Sequence, residues 1–263
     1  MNKVFIDAVG LCAPGLADWT AAGPVLRGEQ PWAATNPAVY QPQLLPPNER
    51  RRATASVRLA FRVAEEAIGR CSFKPEELAS VFSSSEGDTS ILHRLCLALA
   101  EPKPVVSPTD FHNSVHNAAA GYWSIATQSK HPSVSLSAFD ASFCAGLIEA
   151  VTYCLSEATP VLLTAYDIQP PEPLLGVRHL SAAFGNALVL SPNLTPVSHA
   201  ALMLETCNAD ETRLQNPELE SLRLSNPAAR ALPLLSAIAQ RKTGVIVLQG
   251  AGNQRWRVMV DPS

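Results

Sequence analysis

The stretch Val134–Leu155, VSLSAFDASFCAGLIEAVTYCL, decides the fold. Its first part, Val134-Ser135-Leu136-Ser137-Ala138, alternates apolar and small residues and predicts a buried strand. Its second part, Ala141 to Leu155, sets Leu147, Ile148, Val151 and Leu155 at helical spacings. Phe139, Asp140, Ala141 and Ser142 form the join. A tight turn from a strand into a buried helix is where acyl-transfer enzymes carry a nucleophile. The helix N-terminus aims free N–H groups at such a site and lowers the pKa of a thiol there. Here the join carries Asp140. Aspartate is a favoured N-cap, contributing roughly 1 kcal/mol, so Asp140 is expected to be a buried acceptor capping the helix 141–155.

Upstream, Val4–Val9 predicts a first strand, followed by the turn GLCAPG at 10–15 and a short helix from Asp18 to Leu26. Residues 28–48 are rich in proline and predict an irregular excursion. Asn48–Arg70 predicts one amphipathic helix, with Val57, Leu59, Ala60, Val63, Ala64, Ala67 and Ile68 on its apolar face. A strand over 78–83, a helix over 88–100 and a proline-rich link over 101–108 follow. Phe111–Ser129 predicts a loop that becomes a helix packed through small residues. Beyond the central stretch, 160–165 and 182–190 predict strands on either side of a proline-rich loop. This alternation predicts a mostly parallel sheet covered on both faces. The tail is different: a strand over 200–206, a polar stretch over 208–227, a helix over 228–240, and a hairpin of 245–248 with 255–260.

The composition excludes several classes. The formal net charge is −3 and 47% of the residues are hydrophobic, so a sizeable core is expected and a nucleic-acid partner is not. Arg50-Arg51-Arg52 forms the basic cluster, read as a solvated turn or a patch for an acidic partner. Six cysteines are scattered with no CxxC pair, which suits a reducing compartment and core thiols, not disulfides or zinc. Asp7 interrupts the first apolar run, so no signal peptide is expected. No stretch of about 20 residues is apolar enough to span a bilayer. A cytoplasmic chain without membrane insertion is expected. The glycines of GLCAPG and SSSEGD lack a phosphate-loop context, so no nucleotide or other cofactor is expected.

In order, these pieces resemble the N-terminal half of a β-ketoacyl synthase of the thiolase fold. GLCAPGLADWTAAGPVLRGE resembles the family's opening strand, glycine-proline turn and helix. VFSSSEGD resembles its second strand and glycine-bearing loop. FHNSVHNAAAGYWSIA resembles the loop and helix often reading Pro-Asn-x-x-x-Gly-x-x-Ser-Ile. LSAFDASFCAGLIEA resembles the nucleophile elbow, normally Thr-Ala-Cys-x-Ser-Gly, and AAFGNALVL the strand closing the first half. The resemblance covers residues 1–191. It implies an α/β thiolase-like half in α/β/α layers with a mixed, mostly parallel sheet. Residues 192–263 are then a short C-terminal extension, a helix and a hairpin, packed on the same domain. Such a half-fold is expected to leave one face of the sheet uncovered.

Aligned on that elbow, Asp140 falls where the family has its acylated cysteine. A carboxylate is a poor thioester nucleophile, and its anhydride would be short-lived. The family's catalytic histidines from the second half also have no counterpart, since His179 and His199 sit in other contexts. The chain therefore looks like a chain-length factor, the inactive partner of a ketosynthase, in the half-size form of aryl polyene systems. The resemblance implies a heterodimer or heterotetramer with an active β-ketoacyl synthase, and an acyl carrier protein as indirect partner. It places the tunnel and interface at Phe111, His112, Asn113, Ser114, Val115 and His116, with Phe139 and Asp140. Two rival chemistries stand beside this. His112 and His116, four apart, could share a metal with Asp110 or Asp140. Asp140 or Cys144, with His112 or His116 as base, could serve a thioesterase or decarboxylase acting on carrier-bound acyl chains.

Overall fold

The computed structural model describes residues 3–263. The strands are β1 (Val4–Cys12), β2 (Ala79–Ser83), β3 (Ser133–Leu136), β4 (Val161–Asp167), β5 (Phe184–Ser191), β6 (Ala200–Cys207), β7 (Gly244–Gln249) and β8 (Arg255–Pro262). The α-helices are α1 (Trp19–Leu26), α2 (Pro47–Arg52), α3 (Ala55–Ile68), α4 (Thr89–Ala100), α5 (Pro108–Asn113), α6 (Ala118–Thr127), α7 (Ser142–Ser156), α8 (Pro217–Ser225) and α9 (Leu232–Gln240). All eight strands form one sheet in the order β3-β2-β4-β5-β1-β6-β8-β7.

The sheet is mixed, but parallel pairs do not dominate it. Only β2 with β3 and β2 with β4 run parallel. The other five pairings are antiparallel, which corrects the expectation of a mostly parallel sheet. The cause lies in the connections. A parallel return needs a crossover of a dozen or more residues, usually a helix. Residues 168–183 contain only one short helical turn, at Leu174–Gly176, so β5 returns antiparallel to β4.

Helices cover both faces of the five-stranded part, so that part leaves no face open. On one face Val57, Phe61, Val63 and Trp123 of α3 and α6 pack on Ala8, Phe82, Leu162 and Val189. On the other, Phe143, Leu147 and Val151 of α7 pack on Val9, Val81, Leu163 and Leu188. All seven residues of β4 are therefore buried, as expected for a strand covered on both faces. Gly146 lets α7 approach closely: a Cβ there would meet Ser83 Cβ at 2.9 Å and Leu163 Cδ1 at 3.0 Å. The C-terminal strands extend the same sheet. There, Ile246, Leu248, Val258 and Val260 share a core with Leu235 and Ile238 of α9, while Val245 stands exposed.

Other boundaries differ from expectation. The helix expected over 48–70 breaks at Ala53, whose backbone is extended, and restarts behind the Thr54 cap. Phe111, His112 and Asn113 lie in α5, not in a loop. The polar stretch after β6 contains α8, capped by Asn216 Oδ1 accepting from Glu218 N and Leu219 N.

Candidate functional site

The site is the turn after β3 together with the surface around it. Here β3 ends at Leu136, Phe139–Ala141 make one helical turn, and α7 starts at Ser142. Ser142 braces the turn: its Oγ donates to Phe139 O at 2.6 Å and accepts from Ala138 N at 3.0 Å. Asp140 does not cap α7, and no side chain makes the cap. Nor is Asp140 buried, its side chain being 39% exposed. It instead accepts from Arg178 Nη1 at 2.7 Å, because the helical turn before α7 swings it outward toward the loop after β4. The strained residue of the turn is Phe139, at φ 53°. Such a conformation costs a bulky residue roughly 1–3 kcal/mol and persists only where its surroundings impose it.

Arg178 and Glu86 complete the cluster, and neither was legible in the sequence. The Arg178 guanidinium lies 3.9 Å from the Phe139 ring centroid and pairs through Nε with Glu86. A single arginine after a proline-rich, apolar loop (QPPEPLLGVR) was the available signal. Glu86 belongs to the SSSEGD loop, which is the hub of the site. Ser84 O accepts from His116 Nε2 at 2.9 Å, and Ser85 O from Ser137 Oγ at 2.8 Å. Ser84 Oγ, Ser85 Oγ and Ser85 N all donate to Oδ1 of the buried Asp167. Burial pushes the Asp167 carboxyl up to about 6 despite those donors.

The remaining candidates separate. Phe111 is 69% exposed and Val115 is exposed beside it, whereas Asn113 is buried and donates to Arg52 O at 3.3 Å. Asn113 is thus a structural contact facing inward, not a surface one, because it lies on the α5 face packed against the end of α2. Ser114 Oγ donates to Phe111 O at 2.8 Å. His112 stands edge-on to Tyr122, while His116 lies beyond the end of α5 and turns to Ser84, so the two do not share a helix face. Asp110 pairs with Arg94 at 2.8 Å and Asp140 with Arg178. Among the described residues, no group of three or more His, Cys, Asp or Glu side chains is placed to hold a metal ion. Cys144 is buried inside α7, and burial pushes its thiol up to about 12. It is protonated near neutral pH and cannot act as a thiolate there.

β3 is an edge strand, paired only with β2. Between it and α6 runs a groove of about 440 Å³, lined by His116, Asn117, Ala120, Gly121, Ser124, Ser133 and Ser135. Large apolar side chains stand exposed on the segment that leads to this edge. Of fifteen such residues among those described, eight fall between positions 92 and 139, on α4 to α6 and the turn. α4 buries only Thr89 and Ile91, although its sequence is TSILHRLCLALA.

The mixed sheet, the strand–turn–helix after β3 and the helices on both faces are those of a thiolase-like α/β fold. The family model for the β-ketoacyl synthase N-terminal domain matches residues 26–257, and the chain belongs to that family. Similar solved structures share the thiolase-like fold. One is a ketosynthase in complex with its chain length factor from Xenorhabdus doucetiae: 23% identity, TM-score 0.74, 98% of this chain and 99% of that chain covered. A second is a type II polyketide acyl-carrier protein in complex with its ketosynthase: 12% identity, TM-score 0.75, 100% and 99% covered. A third, a β-ketoacyl synthase from Burkholderia phymatum, has 15% identity and TM-score 0.63, with 91% of this chain and 71% of that chain covered. No curated protein matches the sequence. No helix among the described residues is long and apolar enough to cross a membrane.

Proposed function

We propose that this chain is a non-catalytic, chain-length-factor-like partner of an active β-ketoacyl synthase. It binds the synthase as a heterodimer in the cytoplasm and shapes the tunnel in which an acyl or polyketide chain grows, in an aryl polyene or related system. Residues 1–191 form the synthase-like half, and 192–263 a C-terminal extension packed on the same domain. The observation that carries this reading is the turn itself. Its strained residue is Phe139, and its carboxylate, Asp140, is neutralised by Arg178. We infer that Phe139, rather than Asp140, stands where an active relative holds its nucleophile. Neither is an effective thioester nucleophile, and the nearby Cys144 thiol is buried and protonated.

The open β3 edge supports the partner. A half-buried edge strand with one side unpaired is a ready template for pairing with another chain.

The test is co-expression with the ketosynthase encoded nearest to this chain, with only this chain tagged. A stoichiometric complex that condenses acyl chains only when both subunits are present is expected. A thiol-directed ketosynthase inhibitor should label the partner and spare Cys144. A soluble chain with no partner, or a labelled Cys144, would overturn the reading.

A further inference from the structure

Phe139 and Arg178 form a unit that the core does not require. The Phe139 ring is 61% exposed, yet its backbone is held in the left-handed region at φ 53°. One face of the ring is covered by the Arg178 guanidinium at 3.9 Å. That guanidinium is itself fixed on two sides, by Asp140 at 2.7 Å and by Glu86. Glu86 is fixed in turn. The backbone carbonyl of Ser85 accepts from Ser137, and the Ser84 and Ser85 hydroxyls donate to Asp167 at the end of β4. The ring is therefore referenced to the sheet through Arg178, while Phe139 as a whole stays exposed.

Resting on the partner reading above, we propose that Arg178 is a specificity-determining positioning residue. It stacks on Phe139 and bridges Asp140 to Glu86, and so sets where the ring stands. The ring is then the wall at which an apolar acyl chain, growing at the partner's active site, stops. The choice of arginine fits this role. A planar guanidinium stacks flat on an aromatic face while its rigid fork reaches two carboxylates, whereas a lysine ammonium is a point charge on a flexible stem and fixes the ring less firmly. The two carboxylates also mask the cation, so the chain end meets an aromatic ring and not a positive charge. An exposed surface ion pair would explain neither the covered ring nor the left-handed backbone beside it.

The test uses the intact complex with its synthase, supplied with malonyl-loaded acyl carrier protein and an acetyl starter, with product lengths read by mass spectrometry. Phe139→Ala and Arg178→Ala are each expected to retain the complex and lengthen the products by one or more two-carbon units. Arg178→Lys, which keeps the charge without the planar fork, should lengthen the products less than Arg178→Ala. Arg27→Ala, which breaks the exposed pair with Glu29, should leave the lengths unchanged. If Arg178→Ala does not assemble, Glu86→Gln carries the same expectation. Unchanged lengths in an assembled Arg178 or Glu86 variant overturn the proposal, as does a shift in Phe139→Ala alone. Failure of the unmodified chain to bind a synthase overturns the partner reading and this assignment with it, and is visible before any variant is made.

Discussion

At the scale of single residues, Asp167 couples the site to pH. It ends β4 inside the protein, accepts from Ser84, Ser85 and Ala228, and is pushed by burial from 3.8 up to about 6. An acid whose pKa is raised by folding binds its proton more tightly in the folded state. Its contribution is then complete below the unfolded value and is lost as pH rises through the folded one. The unmodified chain should lose stability between about pH 4 and pH 7 relative to Asp167→Asn, measured by urea unfolding at stepped pH. Equal pH slopes in the two proteins would refute this. Other residue roles were only partly legible. Phe139 and Asp140 stood out as the join between strand and helix, but their division of labour did not. Which of two adjacent residues takes the left-handed backbone depends on where the helical turn before α7 begins. That is set by Ser142 and by Arg178, 38 residues away in sequence.

At the scale of elements, α7 is held against β2 and β4 by the absence of a side chain at Gly146. Ser83 Oγ donates to Ser142 O at 2.6 Å and fixes the same contact. Alanine at 146 gains roughly 1 kcal/mol of helix propensity over glycine. Its Cβ would stand 2.9 Å from Ser83 Cβ and 3.0 Å from Leu163 Cδ1, and overpacking of that kind costs typically 1–3 kcal/mol. Gly146→Ala is expected to lower the denaturant midpoint. A raised midpoint would mean that the helix shifts freely, and that the packing described here is loose. The strands and most helices were legible because their periodicity is local. The break between α2 and α3 was missed because no glycine or proline marks it and Glu49 to Ala53 are all compatible with a helix, while the extended backbone at Ala53 and the Thr54 cap interrupt it.

At the scale of the whole molecule, the two faces of the five-stranded part are closed, so the surface seeking a partner is not a bare sheet layer. It is the unpaired side of β3 with the segment from α4 to the turn before α7, which holds eight exposed large apolar side chains in a chain of net charge −3. Exposed apolar surface drives association. The isolated chain is expected to self-associate as its concentration rises, with light scattering showing a growing mass. Co-expressed synthase, or Ile125→Glu on α6, should suppress it. A monodisperse monomer at high concentration would count against this surface as an interface.

By itself the sequence determined most element types, the strand–turn–helix at 134–155 and the likeness to a β-ketoacyl synthase N-terminal domain. All of these rest on short-range periodicity or on motifs read in order. Only the tertiary structure decided the antiparallel majority of the sheet, the covering of both faces and the Glu86–Arg178–Asp140 cluster. The reason is physical. Strand direction follows from how each connection crosses the sheet, and the cluster joins three loops brought together only when β2, β3 and β4 pair. The charge on Arg178 can be read from the chain, but the ring it stacks on and the two carboxylates it bridges exist as a site only in the folded molecule.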